Sequence, residues 1–279
     1  MIAVLGGLGA AFFWAGALLT ASRATRLIGP PAVLAWVMLT GFVVVVPAAL
    51  ASGIPDGLGA REVGWLVLAG AGNVVGLLFN YAALRVGMVS LVAPISSTEG
   101  AIAALIAVAA GETLGAGVGL TLVVIAAGVA LAAVVPTGSS GDPRRTVVLA
   151  GLAAVCFGVG LYATARVSEE LPLLWAVLPA RVVGVAALTV PLALTRRLTL
   201  TRAALPLVVA SGLCEVGGFA AYALGSRHGI AVAAVLASQF AAVAAVAAYV
   251  LFHERLTRLQ LAGVVAILVG VAALTALQA

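Results

Sequence analysis

Ten runs of mostly apolar residues follow one another along the chain, at positions 2–21, 31–51, 64–84, 89–109, 117–135, 146–165, 174–195, 204–224, 231–251 and 259–277, with short polar gaps between them. Each comes close to the ~20 residues an α-helix needs to cross the hydrocarbon core of a bilayer. The gaps carry helix-ending chemistry: Gly29 with Pro30 and Pro31, a Gly/Pro/Asp turn at 53–57, a Gly/Ser/Pro stretch at 136–143 and an arginine-bearing segment at 196–202. The pattern predicts an all-α integral membrane protein of ten transmembrane helices.

The pattern is also written twice. A shift of 142 residues places Ser96 on Ser238, Ala103 on Ala245, Glu112 on Glu254 and Gly128 on Gly270, and a shift of 144 places Gly7 on Gly151, Phe13 on Phe157 and Pro47 on Pro191. At a shift of 141, Gly76 and Tyr81 fall on Gly217 and Tyr222. The natural seam at 136–143 divides the chain into residues 1–138 and 143–279, each with five runs. Five crossings is an odd number, so the second half enters the membrane from the opposite side, and the two halves form an inverted repeat around a central cavity. Rocking of one half against the other then exposes a site to each side in turn, which is the architecture of a secondary transporter.

Composition narrows the picture further. With 64% hydrophobic residues, 8% charged residues and a mean hydropathy of +1.27, the 279 residues lack the polar surface to cover a water-soluble globule. The net charge of +5 comes from arginines at the ends of apolar runs rather than along one basic face, which argues for membrane anchoring and against nucleic acid. The first run lacks a positively charged leader and is expected to stay as a helix. Cys156 and Cys214 lie inside separate apolar runs and give no disulfide framework; with His228 and His253 at run ends, no metal-ligand spacing arises and no cofactor is implied. Arg61, Arg166 and Arg227 fall on the side of the termini, and every other arginine except Arg181 falls on the opposite side, so the positive-inside rule places both termini outside.

Each repeat contains an apolar run, a short loop and a closing helix: Gly-Glu-Thr-Leu at 111–114 followed by Ala-Gly-Val-Ala-Leu at 127–131, then His-Glu-Arg-Leu at 253–256 followed by Val-Gly-Val-Ala-Ala at 269–273. This doubled motif resembles the EamA-type members of the drug/metabolite transporter (DMT) superfamily, over nearly the whole chain. The resemblance implies a ten-helix exporter or exchanger of amino acids, other metabolites or drugs. It also implies cytoplasmic termini, against the arginine distribution. The lack of lysine beside abundant Ala, Val, Gly and Arg fits a bacterial gene, and with it a multi-pass protein of the inner membrane.

Candidate site residues are the polar ones that helical runs carry to mid-membrane. Glu99 and Glu215 sit near the centres of their runs, where a charged side chain costs about 2.5–3.5 kcal/mol on insertion scales. They are candidates for proton coupling or amine contact. Arg181, also deep in its run, is either an anchor for a substrate carboxylate or the structural partner of Glu99 or Glu215. Asn73 and Asn80 share a helical face, and Glu215 shares one with Tyr222 in the matching run. Ser238 and Gln239 offer uncharged donors and acceptors, while Trp14, Phe13, Phe157 and Tyr162 are expected to form an aromatic wall. Glu112 and Glu254 lie at run ends, where capping of a helix N-terminus accounts for them.

The expected partners are a small-molecule substrate, membrane lipid and protons. Amino acids or related amphipathic compounds fit a site holding both carboxyls and an arginine; an acidic cavity alone favours cationic drugs. An intramembrane enzyme would need a nucleophile-base pair or metal cluster, and no catalytic residue is assigned. A non-transporting scaffold would require every midplane charge to be structural.

Overall fold

Gly29, at φ 81°, lets the chain turn within one residue between the first two helices, a backbone conformation that side chains rarely adopt, and Pro30 then starts the second helix where its missing N–H costs nothing. The computed structural model describes residues 1–53, 55, 58–87, 89–132, 143–244, 247 and 258–277, and every regular element among them is helical. These are α1 (Ile2–Ile28), α2 (Pro30–Ala51), α3 (Ala60–Val86), α4 (Val89–Ser96), α5 (Glu99–Ala109), α6 (Ala116–Ala132), α7 (Pro143–Glu170), α8 (Leu173–Gly184), α9 (Val190–Leu194), α10 (Leu205–Ser226), α11 (Ile230–Ala237) and α12 (Arg258–Leu277). A π-helical segment, Val185–Thr189, joins α8 to α9, just before Pro191, which cannot donate the backbone bond that would keep the turn tight. Six of the described spans are long and apolar enough to cross a membrane. The seam at 136–142 and the second loop motif, with His253 and Glu254, lie outside the described residues, as does most of 245–251 at the end of the ninth run.

Packing follows the sequence repeat. The helix α1 lies along α10, α3 along α7, α2 along α8, α5 along α11 and α6 along α12. Small residues mark the close approaches and give their direction: Gly6 faces Gly225 while Gly16 faces Cys214, Gly72 faces Gly160 while Gly87 faces Thr146, and Gly117 faces Leu277 while Gly270 faces Ile125. These pairs are antiparallel. The two remaining pairings run the same way: Trp36 Nε1 near the start of α2 donates to Thr199 O beyond α9, and Trp175 Nε1 near the start of α8 donates to Gly53 O beyond α2; Gly100 meets Ala234 and Ser238, while Glu112 reaches Ala231. Exchanging the first five apolar runs for the second five turns each contact type into its mate, as an inverted repeat requires. The outer surface is apolar, with Leu5, Phe12, Phe13, Val43, Leu105 and Leu120 exposed, which suits lipid.

The fourth helix of each set is broken. After α4 the chain makes one turn at Ser97 and Thr98 before α5; after α11 it does the same at Ser238 and Gln239, and helix resumes at 240–244. Ser97 N donates to Ala93 O and Thr98 N to Ile95 O, while Ser238 N donates to Ala234 O and Gln239 N to Leu236 O. That pattern aligns Ser97 with Ser238, so at the break the structural register is one residue off the sequence pairing of Ser96 with Ser238. Side chains satisfy carbonyls near each turn: Thr98 Oγ1 donates to Ile95 O at 2.8 Å, and Ser238 Oγ and Gln239 Nε2 both donate to Val235 O, at 2.7 and 2.9 Å.

Glu112, in the loop between α5 and α6, caps a helix as its sequence position suggests, but the helix is α11 rather than the next one: Ala231 N donates to Glu112 Oε1 at 3.3 Å and to Oε2 at 3.2 Å. Burial raises the pKa of this half-buried carboxyl, and the Ala231 and Ile230 N–H groups pull the other way without cancelling it. A raised folded-state value means a stability contribution that is complete below the ordinary carboxylate range and is lost as pH rises through the raised value. The melting temperature of the parent relative to Glu112→Gln should therefore be highest at acid pH and decline toward neutrality. A difference that stays flat from pH 4 to 8 would contradict that titration.

Candidate functional site

Two-turn spacing along α3 puts Asn73 and Asn80 on one face, and that face looks into a cavity at the middle of the bundle. The next face carries Gly76, where an added Cβ would stand 2.5 Å from the Phe157 ring of α7; in the mirror contact, a Cβ on Gly217 of α10 would stand 2.9 Å from the Phe13 ring of α1. Close packing on one face of α3 therefore holds its asparagines against the cavity. From α1 come Trp14, Ala17 and Leu18; from α7, Phe157, Gly160 and Leu161. Glu99 enters from the first turn of α5, just past the helix break, Glu215 and Phe219 from α10, and Phe240 from just past the second break. The cavity volume is about 50 Å³, room for a few water molecules at about 10–15 Å³ each on this measure.

The polar atoms around it are under-satisfied. Asn80 Oδ1 accepts from Ser96 Oγ at 2.7 Å. Trp14 Nε1, Asn73 Oδ1, Tyr81 OH and Glu215 Oε2, all buried, have no hydrogen-bond partner among the described residues. Buried donors and acceptors are paired in most folds, so four such atoms around one cavity mark a place where a polar guest is expected. Glu99 and Glu215 both line it.

Arg181 does not line the cavity. It is fully buried, with Nη2 3.7 Å from Glu215 Oε2, Nη1 3.6 Å from Met38 Sδ, and its guanidinium carbon 5.6 Å from the centre of the Phe219 ring. Gly41 of α2 leaves room for its stem, since a Cβ there would stand 2.7 Å from Arg181 Cδ. Of the two roles open in the sequence, the geometry matches the structural pair with Glu215.

Of the sequence candidates, the structure brings Trp14, Asn73, Asn80, Glu99 and Glu215 together on the cavity. Tyr222 stands behind the wall, its OH donating to Leu161 O at 3.1 Å and its ring 6.2 Å from that of Trp14. Ser238 and Gln239 serve the helix break, although Gln239 Oε1 has no partner among the described residues. Tyr162 packs edge-on against Trp65 with ring centres 5.9 Å apart, and Phe13 is 46% exposed, so the expected aromatic wall reduces to Trp14 and Phe157. Its other members are Phe219 and Phe240, joined by the phenol of Tyr81, which the sequence reading did not single out. Tyr81 was findable as the repeat mate of Tyr222; the two phenylalanines offer no contrast within an apolar run.

The cavity thus lies among paired apolar helices and is lined mostly by apolar groups, with Asn73, Asn80, Tyr81, Glu99 and Glu215 as its polar side chains among the described residues. The family model for EamA-like transporters matches residues 1–134 and again 144–276. The chain belongs to the EamA-like transporter family and is a multi-pass membrane transporter of the DMT type. A solved structure, titled only as the crystal structure of a protein, shares the fold with a TM-score of 0.77 at 20% identity, over 99% of this chain and 96% of that one. No curated protein sequence matches.

Proposed function

We propose that the chain is a secondary active transporter, an exporter or exchanger of small amphipathic metabolites such as amino acids and related amines, working by alternating access with proton coupling. The moving parts are two five-helix halves, residues 1–138 and 143–279, and the site is the central cavity. The membrane is the inner membrane of a bacterial cell, and no cofactor or catalytic step is involved. The observation that carries this reading is the convergence of Glu99 and Glu215 on one cavity beside the two broken helices, since discontinuous helices at mid-membrane are where secondary transporters place substrate and coupling-ion sites. A second reading, export of cationic drugs, is favoured by the withdrawal of Arg181 behind the wall.

The test is solute counterflow and charge movement in proteoliposomes under a pH gradient, with amino acids, amines and neutral metabolites presented in turn. Glu99→Gln and Glu215→Gln, each checked for an intact melting transition, are expected to lower coupled flux at least 100-fold while one of them retains exchange. Full coupled flux in both folded variants would remove the carboxyls from the mechanism.

A further inference from the structure

We propose that the cavity recognises its substrate through a cationic amine rather than a carboxylate, with Glu99 and Glu215 as the counter-charges and Trp14, Phe157, Phe219 and Phe240 as the walls around the charged head. This rests on the transporter reading and gives it a substrate class: small primary or methylated amines with a short apolar body. Among the described residues, the lining contains two carboxyl groups and no cationic side chain. Arg181, outside that lining, is 0% exposed and ion-paired with Glu215, with Nη1 on the Met38 sulfur and its guanidinium over the Phe219 ring, while its Nε and Nη2 make no hydrogen bond among the described residues. For a carboxylate to be bound by Arg181, it would have to approach two carboxyls and take the guanidinium away from Glu215. An ammonium seated on Glu99 leaves that pair in place.

The walls suit the same guest. A cation over an aromatic face is attracted by the ring quadrupole, most strongly where water is excluded, and aromatic cages beside a carboxylate are a recurring solution for amine recognition. Trp14 and Phe219 meet edge to face at 5.2 Å, which fixes their orientation at the cavity wall. The unpaired acceptor Asn73 Oδ1 matches an N–H donor of an ammonium. At about 50 Å³ the cavity admits a headgroup and a few carbons rather than a drug-sized body.

The experiment uses the purified full-length protein in nanodiscs at pH 7.5, titrated calorimetrically with four matched probes: 1-butylamine, norvaline (the same amine bearing a carboxylate), pentanoate and 1-butanol. The expected order is butylamine at least ten-fold tighter than norvaline, with pentanoate and butanol weaker still, and Glu99→Gln lowering butylamine affinity at least ten-fold while Glu112→Gln, outside the cavity, leaves it unchanged. Norvaline or pentanoate binding as tightly as butylamine overturns the proposal, as does the absence of binding by every probe. Because the four-probe order is read on the parent protein, a variant that fails to fold does not obscure it. Counterflow with the same probes separates the two readings: vesicles that pass norvaline and exclude butylamine sink the amine assignment and keep the transporter, whereas butylamine that binds and is never moved keeps the site and sinks transport.

Discussion

Arg181→Met should cost about 3–5 kcal/mol of stability, the range found when one partner of a buried ion pair is removed, and so lower the melting temperature by about 10 °C. Both side chains are buried, and Arg181 Nη2 and Glu215 Oε2 stand 3.7 Å apart. Glu215→Leu should cost more than Arg181→Met, because a stranded carboxyl can take up a proton while a stranded guanidinium stays charged. The double variant Arg181→Met with Glu215→Leu removes both charges together and should recover most of the loss, since buried pairs are often replaceable by apolar residues of similar size. It should also be transport-dead, having lost a cavity carboxyl. Thermal melts of the four proteins in one detergent give the coupling directly. Losses that simply add would mean that the pair does not act as a unit. If Arg181 instead anchors a substrate carboxylate, Arg181→Met should melt near the parent and lose affinity for carboxylated solutes alone.

How much of this was legible beforehand follows from what the membrane makes visible. Backbone groups inside a bilayer must be satisfied within helices, so runs of apolar residues announce helices, and their duplication announces the inverted repeat that α1 with α10 and α3 with α7 display. The same constraint makes a polar residue in mid-run conspicuous, which is why Asn73, Asn80, Glu99 and Glu215 could be found by depth alone. Depth does not give rotation about the helix axis. Tyr81 and Tyr222 are repeat mates, yet one faces the cavity and the other bonds to Leu161 O. Nor does depth give partners from distant segments: Glu112 caps a helix 119 positions away along the chain, and Arg181 turns from the cavity toward Met38 and Glu215. Phe219 and Phe240 were hidden for the opposite reason, as apolar residues among apolar residues.

The fold is symmetric and the site is not. Trp14 on α1 corresponds at the shift of 144 to Gly158 on α7, and Glu215 on α10 corresponds at the shift of 141 to Val74 on α3. The backbone is duplicated, while these unpaired substitutions leave Trp14 and Glu215 without counterparts across the cavity and so give it one chemical polarity.

Gly6→Ala should be among the most damaging single substitutions, and Gly217→Ala, on the same helix pair, among the mildest at a packed glycine. A Cβ on Gly6 would stand 2.5 Å from Gly225 Cα, 2.6 Å from Ala221 O and 2.7 Å from Gly225 N, all backbone atoms that no rotamer can move. Gly6 and Gly9 lie against Ala221 and Gly225 of α10, small residues that let membrane helices approach closely. The added methyl must therefore push α1 from α10, and with it Trp14 from Glu215. Overpacking typically costs about 1–3 kcal/mol when side chains can yield, and here none can, so the upper end or beyond is expected. At Gly217 the nearest atoms belong to the Phe13 ring, at 2.9 Å, and that ring is 46% exposed to lipid and free to swing, which holds the cost below about 1 kcal/mol. Melting temperatures and counterflow rates measured side by side should show Gly6→Ala depressed in both and Gly217→Ala near the parent. Equal tolerance of the two would mean that α1 and α10 are not locked together at Gly6.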